Sequence, residues 1–139
     1  MSYSKAPLAL VFPLLDFGAG GRTDRFKLPK GKGATLIDYG VQSIQETFAG
    51  GTPATIAVGL TGNTDAYGEE LSLGAAATTT VGGYTIRSLY GQYDETNLDL
   101  FLVDPYIPAD TAILLTSVAA GGGSEAGQAY PYLVLKIDD

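Results

Sequence analysis

Apolar residues recur along this chain at a spacing of two, in short runs punctuated by Gly, Pro, Asn and Asp. That period is the mark of half-buried β-strands. Ala54, Ile56, Val58 and Leu60 share one face of one run, and Leu133, Leu135 and Ile137 alternate with Tyr132, Val134 and Lys136 in the last. Between them, Tyr84 and Ile86 follow a Gly82-Gly83 turn, and Leu98, Leu100 and Leu102 alternate with Asp99, Phe101 and Val103. Residues 34–48 are strand-like throughout but change parity. Ile37, Tyr39 and Val41 fall on one face, and Leu36, Ile44 and Phe48 on the other. A one-residue slip reverses the face of every side chain, so the change predicts a bulge or bend near residues 40–43. Strands bent in this way pass from one sheet of a sandwich to the other.

Gly50-Gly51-Thr52-Pro53 breaks the run before residue 54 and reads as a hairpin-like corner, with free φ at the glycines and fixed φ at the proline. Residues 61–68 read as a loop, the tract at residues 75–80 as a loop or edge strand, and residues 121–124 as part of a long loop before the last strand. No stretch carries a helical period. Seven or eight short strands with such punctuation imply an all-β antiparallel sandwich or barrel. At 139 residues and 14.4 kDa, length predicts a single domain.

Residues 1–25 read as an N-terminal arm, and residues 26–139 as the β domain. Leu8-Ala9-Leu10-Val11-Phe12 is an apolar tip cut off by Pro13, and Gly18-Ala19-Gly20-Gly21 is a flexible stem. Such a tip either completes a sheet of its own chain or docks on a neighbour. Two runs are apolar on both faces: Phe101 and Val103 stand opposite the leucines at 98–102, and Leu114 and Val118 stand opposite Ile113 and Leu115. An antiparallel sandwich usually keeps one face wet, so a covering segment or a subunit contact is expected there.

Composition closes several routes to chemistry. The chain has no Cys and no His, which removes thiol nucleophiles, disulfides, zinc–thiolate sites and the imidazole base. No enzyme and no cofactor are expected. Residues 63–70 fail the calcium-loop pattern at Tyr67 and Gly74. Asp94/Glu95, Glu69/Glu70 and Asp138/Asp139 are adjacent pairs that alternate to opposite faces when extended, and read as solvated. Lys27-Leu28-Pro29-Lys30-Gly31-Lys32-Gly33 lacks the spacing of a phosphate loop and reads as a basic turn. Nine Tyr and no Trp suit core and interface use, with a sugar-binding platform as the alternative.

Charge is segregated. Residues 1–35 hold six basic and two acidic side chains, and residues 36–139 hold two basic and thirteen acidic ones. The basic segment therefore lies across its own acidic body or crosses to a neighbour's. A net charge of −7 argues against nucleic acid as a partner. The longest apolar stretch, residues 7–15, is broken by Pro13 and falls far short of the ~20 residues of a membrane span. It also makes a poor signal peptide, so the mature chain is expected to begin near Met1.

Leu28-Pro29-Lys30-Gly31, Asp38-Tyr39-Gly40-Val41 and the run from Phe48-Ala49-Gly50-Gly51 through Thr52-Pro53-Ala54-Thr55-Ile56-Ala57-Val58-Gly59 resemble small structural proteins of tailed bacteriophages. These are capsid decoration (cement) proteins and related head-fibre base domains. The likeness spans about 45 residues and includes the Tyr-bearing segment at residues 63–67. The resemblance implies a jelly-roll-like β-sandwich, a homotrimer on the outer capsid surface of the virion, made in the host cytoplasm and bound to the major capsid protein. On that reading Leu8, Leu10, Val11 and Phe12 form the docking tip, and Arg22, Arg25, Lys27 and Lys30 its charged stem. Phe101 and Val103 are the candidate subunit interface. A head- or tail-fibre module binding host glycans, and a free-standing carbohydrate-binding module, are the alternatives.

Overall fold

Runs of two-residue period become strands here, and a computed structural model describes them over residues 6–73 and 106–139, with the backbone of residues 87–88. The strands are β1 (Leu8–Val11), β2 (Leu15–Asp16), β3 (Arg22–Lys27), β4 (Ala34–Ala49), β5 (Thr55–Leu60), β6 (Asn63–Ser72), β7 (Arg87–Ser88), β8 (Tyr106–Ile107), β9 (Ala112–Val118) and β10 (Ala126–Ile137). Every pairing among them is antiparallel. They make two sheets. The larger runs β1-β10-β4-β7, with β2 also on β10 and β8 also on β4, and the smaller runs β3-β9-β5-β6. Setting aside the short β2 and β8, the first, eighth, third and sixth strands form one sheet and the second, seventh, fourth and fifth the other. That interlocked order is a jelly roll, and the all-β sandwich expected from the sequence is the fold.

The parity change in residues 34–48 has a different consequence from the one expected. β4 does not cross between sheets; it stays in the larger one for all 16 residues. Against β10 it pairs Leu36 with Leu135, Tyr39 with Leu133, Val41 with Pro131 and Glu46 with Gln128, with register shifts between Leu36 and Tyr39 and between Val41 and Glu46. Ser43, inside the second irregularity, takes φ 49°. Each extra residue flips the side-chain face. Leu36, Tyr39, Val41, Ile44 and Phe48 therefore all end up buried in one core, facing Ile56, Val58, Leu71, Ile113 and Leu115 of the other sheet. The corner at residues 50–53 is what passes between sheets, so it is not a hairpin. Thr52 and Gly121 exchange two backbone hydrogen bonds of 2.8 and 2.9 Å, tying that corner to the glycine-rich loop before β10.

Two further expectations change. Residues 63–68 are not a loop but the first half of β6, joined to β5 by a two-residue turn in which Gly62 takes φ 85°. Within the expected arm at residues 1–25, the described residues 6–25 are not separate from the β domain. β1, β2 and the start of β3 are built into both sheets, so the apolar tip completes a sheet at home. Phe17, at 0% exposure, packs its ring 5.1 Å from that of Phe48. On β9, Leu114 is only 6% exposed within the single chain, so covering it requires no second subunit, whereas Val118 is 49% exposed. Phe101 and Val103 lie outside the described residues.

Tyr39 links the two sheets. Its buried hydroxyl donates to the Glu69 carbonyl of β6, and a Cβ at Gly68 would stand 2.5 Å from its ring. Burial, with the carboxylates of Glu69, Asp38 and Asp65, pushes its pKa well above the ordinary tyrosine range. The unfolded chain ionises this group near pH ~10, so the folded state holds the proton more tightly. The stabilisation is complete below that pH and is lost as pH rises above it. In urea titrations the midpoint should stay level from pH 7 to 9 and fall above pH ~10. Tyr39→Phe should fall less steeply there, after losing about 1–3 kcal/mol at neutral pH for the unpaired carbonyl.

Candidate docking surface

An edge strand exposes unpaired backbone donors and acceptors, and folded chains guard such edges with charge, bulges or brevity. Three edges of this sandwich can be compared. On β3, Thr23, Arg25 and Lys27 alternate with Arg22, Asp24 and Phe26, which share the register face of the core residues Ile113 and Leu115. Arg22 and Asp24 form a 3.0 Å ion pair on that inner side, with Asp24 only 11% exposed. On β6, Asp65, Glu69 and Glu70 are all exposed, and two register shifts against β5 break the ladder. Glu69 and Glu70 together stand opposite the single residue Ala57, so both carboxylates reach solvent. These two edges are guarded.

β1 differs. No charged residue occurs from Ala6 to Leu15. β1 pairs on one side with β10, in register Leu8–Leu135, Ala9–Val134, Leu10–Leu133 and Val11–Tyr132, and no described strand lies on its other side. The edge continues through the Phe12 N–H, which donates to the Pro131 carbonyl at 2.9 Å, and resumes as β2. Leu8, Val11 and Leu14 stand 38%, 50% and 42% exposed along it, with Leu8 on the face of Leu10 and Val11 on the opposite one, so this uncharged ridge is aliphatic on both sides. The break at Pro13-Leu14 is held in place by Arg22, whose guanidinium donates to the Pro13 carbonyl at 2.6 Å and to that of Leu14 at 3.4 Å.

The predicted contact residues thus divide. Leu8 and Val11 lie on the exposed ridge. Leu10 and Phe12 pack against the core and position the strand. Arg22 is a clamp rather than a free cation. Arg25, Lys27 and Lys30 are exposed and form no ion pair among the described residues. Leu14 belongs to the ridge and was not singled out from the sequence, since the proline before it hides the continuity of the edge.

Other candidate chemistry is used up locally. The Gly31 N–H, the donor a phosphate would need in the basic turn, is taken by the Asp110 carboxylate at 3.2 Å. Among the described residues no three carboxylates gather as a metal site. Asp138 accepts a 2.7 Å hydrogen bond from the Tyr106 hydroxyl, which raises the pKa of that phenol. The pair borders a shallow cleft of about 260 Å³ lined by Thr35, Lys136, Ile137, Asp138 and Asp139. Comparison with protein-family models, curated proteins and solved structures returned no match.

Proposed function

We propose that this chain is a capsid decoration protein of a tailed bacteriophage, a homotrimer that docks on the major capsid protein at the outer surface of the virion. The observation that carries the reading is the uncharged, aliphatic β1 edge, beside two edges that are defended by charge and bulges. Strand addition at such an edge draws affinity from main-chain hydrogen bonds and selectivity from side chains beside it, here the exposed Leu8, Val11 and Leu14. The reinforcement is mechanical: each docked copy adds contact across a joint of the shell, and linking three copies multiplies modest single-site affinities. The clustering of phage-like turn and strand residues at positions 28–59 supports the same assignment.

Co-sedimentation with undecorated capsid shells of the encoding phage tests this. The double variant Val11→Lys, Leu14→Glu should keep the parent's unfolding midpoint, because both side chains are exposed, yet bind shells at least ~10-fold more weakly, about 1.4 kcal/mol per site. Equal decoration by parent and variant would remove β1 from the interface, and failure of the parent to bind shells would remove the assignment. The glycan-binding alternative is favoured by one feature, the exposed Tyr106 hydrogen-bonded to Asp138 beside the polar cleft. Binding of host-cell polysaccharide that is lost in Tyr106→Ala would establish it.

A further inference from the structure

The smaller sheet carries opposite charges on its two edges. β3 and the turn after it present Arg25, Lys27 and Lys30, while β6 presents Asp65, Glu69 and Glu70, all six exposed. None of the six forms an ion pair among the described residues, where the Arg22–Asp24 bridge is the one ion pair present. β9 and β5 separate the two edges, so they lie three strand spacings apart, roughly 14 Å. That exceeds the ~8 Å screening length of physiological salt, so the edges do not neutralise one another within a chain. Among the described residues, Arg25, Lys27 and Lys30 therefore have no acidic side chain of their own chain as an ion-pair partner. The acidic side is strong enough to be felt inside the fold, since Glu69 and Asp65 add to the burial that raises the pKa of Tyr39.

We infer that the basic β3 edge of one copy docks against the acidic β6 edge of the next, head to tail. This deepens the trimeric part of the reading above and rests on it. Any three-fold ring is built from heterologous contacts, in which one patch meets a different patch of the neighbour. Two patches of opposite sign on one chain suit that contact. A two-fold dimer through either edge would set like charges face to face, which disfavours it. Inward charge on β3 and the bulges of β6 oppose a continuous shared sheet. The contact is therefore between side chains and is salt-sensitive.

Light scattering on the full chain at low and high salt, with paired charge reversals, tests the contact. The parent should be trimeric at low salt and lighter at high salt. Arg25→Glu with Lys27→Glu, and separately Glu69→Lys with Glu70→Lys, should each give one-subunit mass at concentrations where the parent has three. All four substitutions in one chain should restore the three-subunit mass, because the edges have exchanged sign. Circular dichroism and thermal midpoints check that each variant is folded. Retention of the parent's mass by either single-edge variant overturns the inference, as does a folded four-fold variant that stays monomeric. A monomeric parent that still decorates shells removes this contact and leaves the decoration reading standing. A parent that trimerises and responds to reversal but ignores shells does the opposite.

Discussion

Gly127→Ala should destabilise the sandwich by about 3–5 kcal/mol, a large share of the roughly 5–15 kcal/mol that holds a domain together. Two costs add. Gly127 takes φ 139°, a conformation that residues with a Cβ adopt only at a cost of about 1–3 kcal/mol. A Cβ at that position would also collide with the Phe48 ring, and overpacking of this kind costs a further ~1–3 kcal/mol. The ring cannot simply retreat, because it packs against Phe17, buried at 0% exposure. Nor can the backbone move freely. The Gly127 N–H donates to Glu46 at 2.9 Å and its carbonyl accepts from Phe17 at 2.7 Å. Thermal unfolding should show a midpoint about 10–15 °C below the parent. Gly20→Ala, where a Cβ meets nothing within 4 Å, should shift it by no more than ~2 °C.

The second large effect separates an arm from a strand. Were residues 1–25 a detachable arm, deleting them would weaken docking and spare the fold. The structure predicts loss of the fold. Removing Phe17 alone empties a core site worth ~3–5 kcal/mol, and Leu10, Phe12 and Leu15 leave with it. The deletion also strips β10 of β1 and β2 and removes four of the six residues of β3. Together these losses exceed the total stability of most domains this size. The truncated chain should show no cooperative transition in urea. Val11→Lys with Leu14→Glu should unfold at the parent's midpoint, so docking is better tested by point substitution than by deletion.

What could be read from the sequence depended on where each strand sits. β5, β9 and β10 have one face or both in the core, and their apolar period stands out. β4 announced its bulges through the change from Tyr39 and Val41 to Ile44 and Phe48. Only the structure shows that those bulges keep the strand in one sheet, because parity records that a face changes and not which sheet receives it. Edge strands hid for a physical reason. β6 places Asp65, Glu69 and Glu70 in water and loses its alternation at two register shifts, so a defended edge reads as a loop. β3 hid differently, since Arg22 and Asp24 occupy the inward positions where a strand usually shows apolar residues. Of the docking ridge, Leu8 and Val11 were legible as an apolar tip. Leu14 was not, because it takes a carbonyl clamp from Arg22 to carry the edge past Pro13.

The place of β10 has a consequence for how the chain comes to be folded. β1, β2 and β4 all pair with it, yet it is made last of the ten strands, at residues 126–137. At ~5–20 residues per second, a ribosome holds the early strands without their partner for several seconds. Pairings this distant in sequence are slow to form even in a free chain, on a scale of milliseconds to seconds. Throughout that interval the uncharged stretch from Ala6 to Leu15 has nothing of its own to pair with. The strand proposed to dock on a partner in the finished protein is therefore also a segment exposed to wrong pairing while the protein is being made. Yield of soluble chain during expression should respond more sharply to added charge at Val11 than the equilibrium stability of the folded product does.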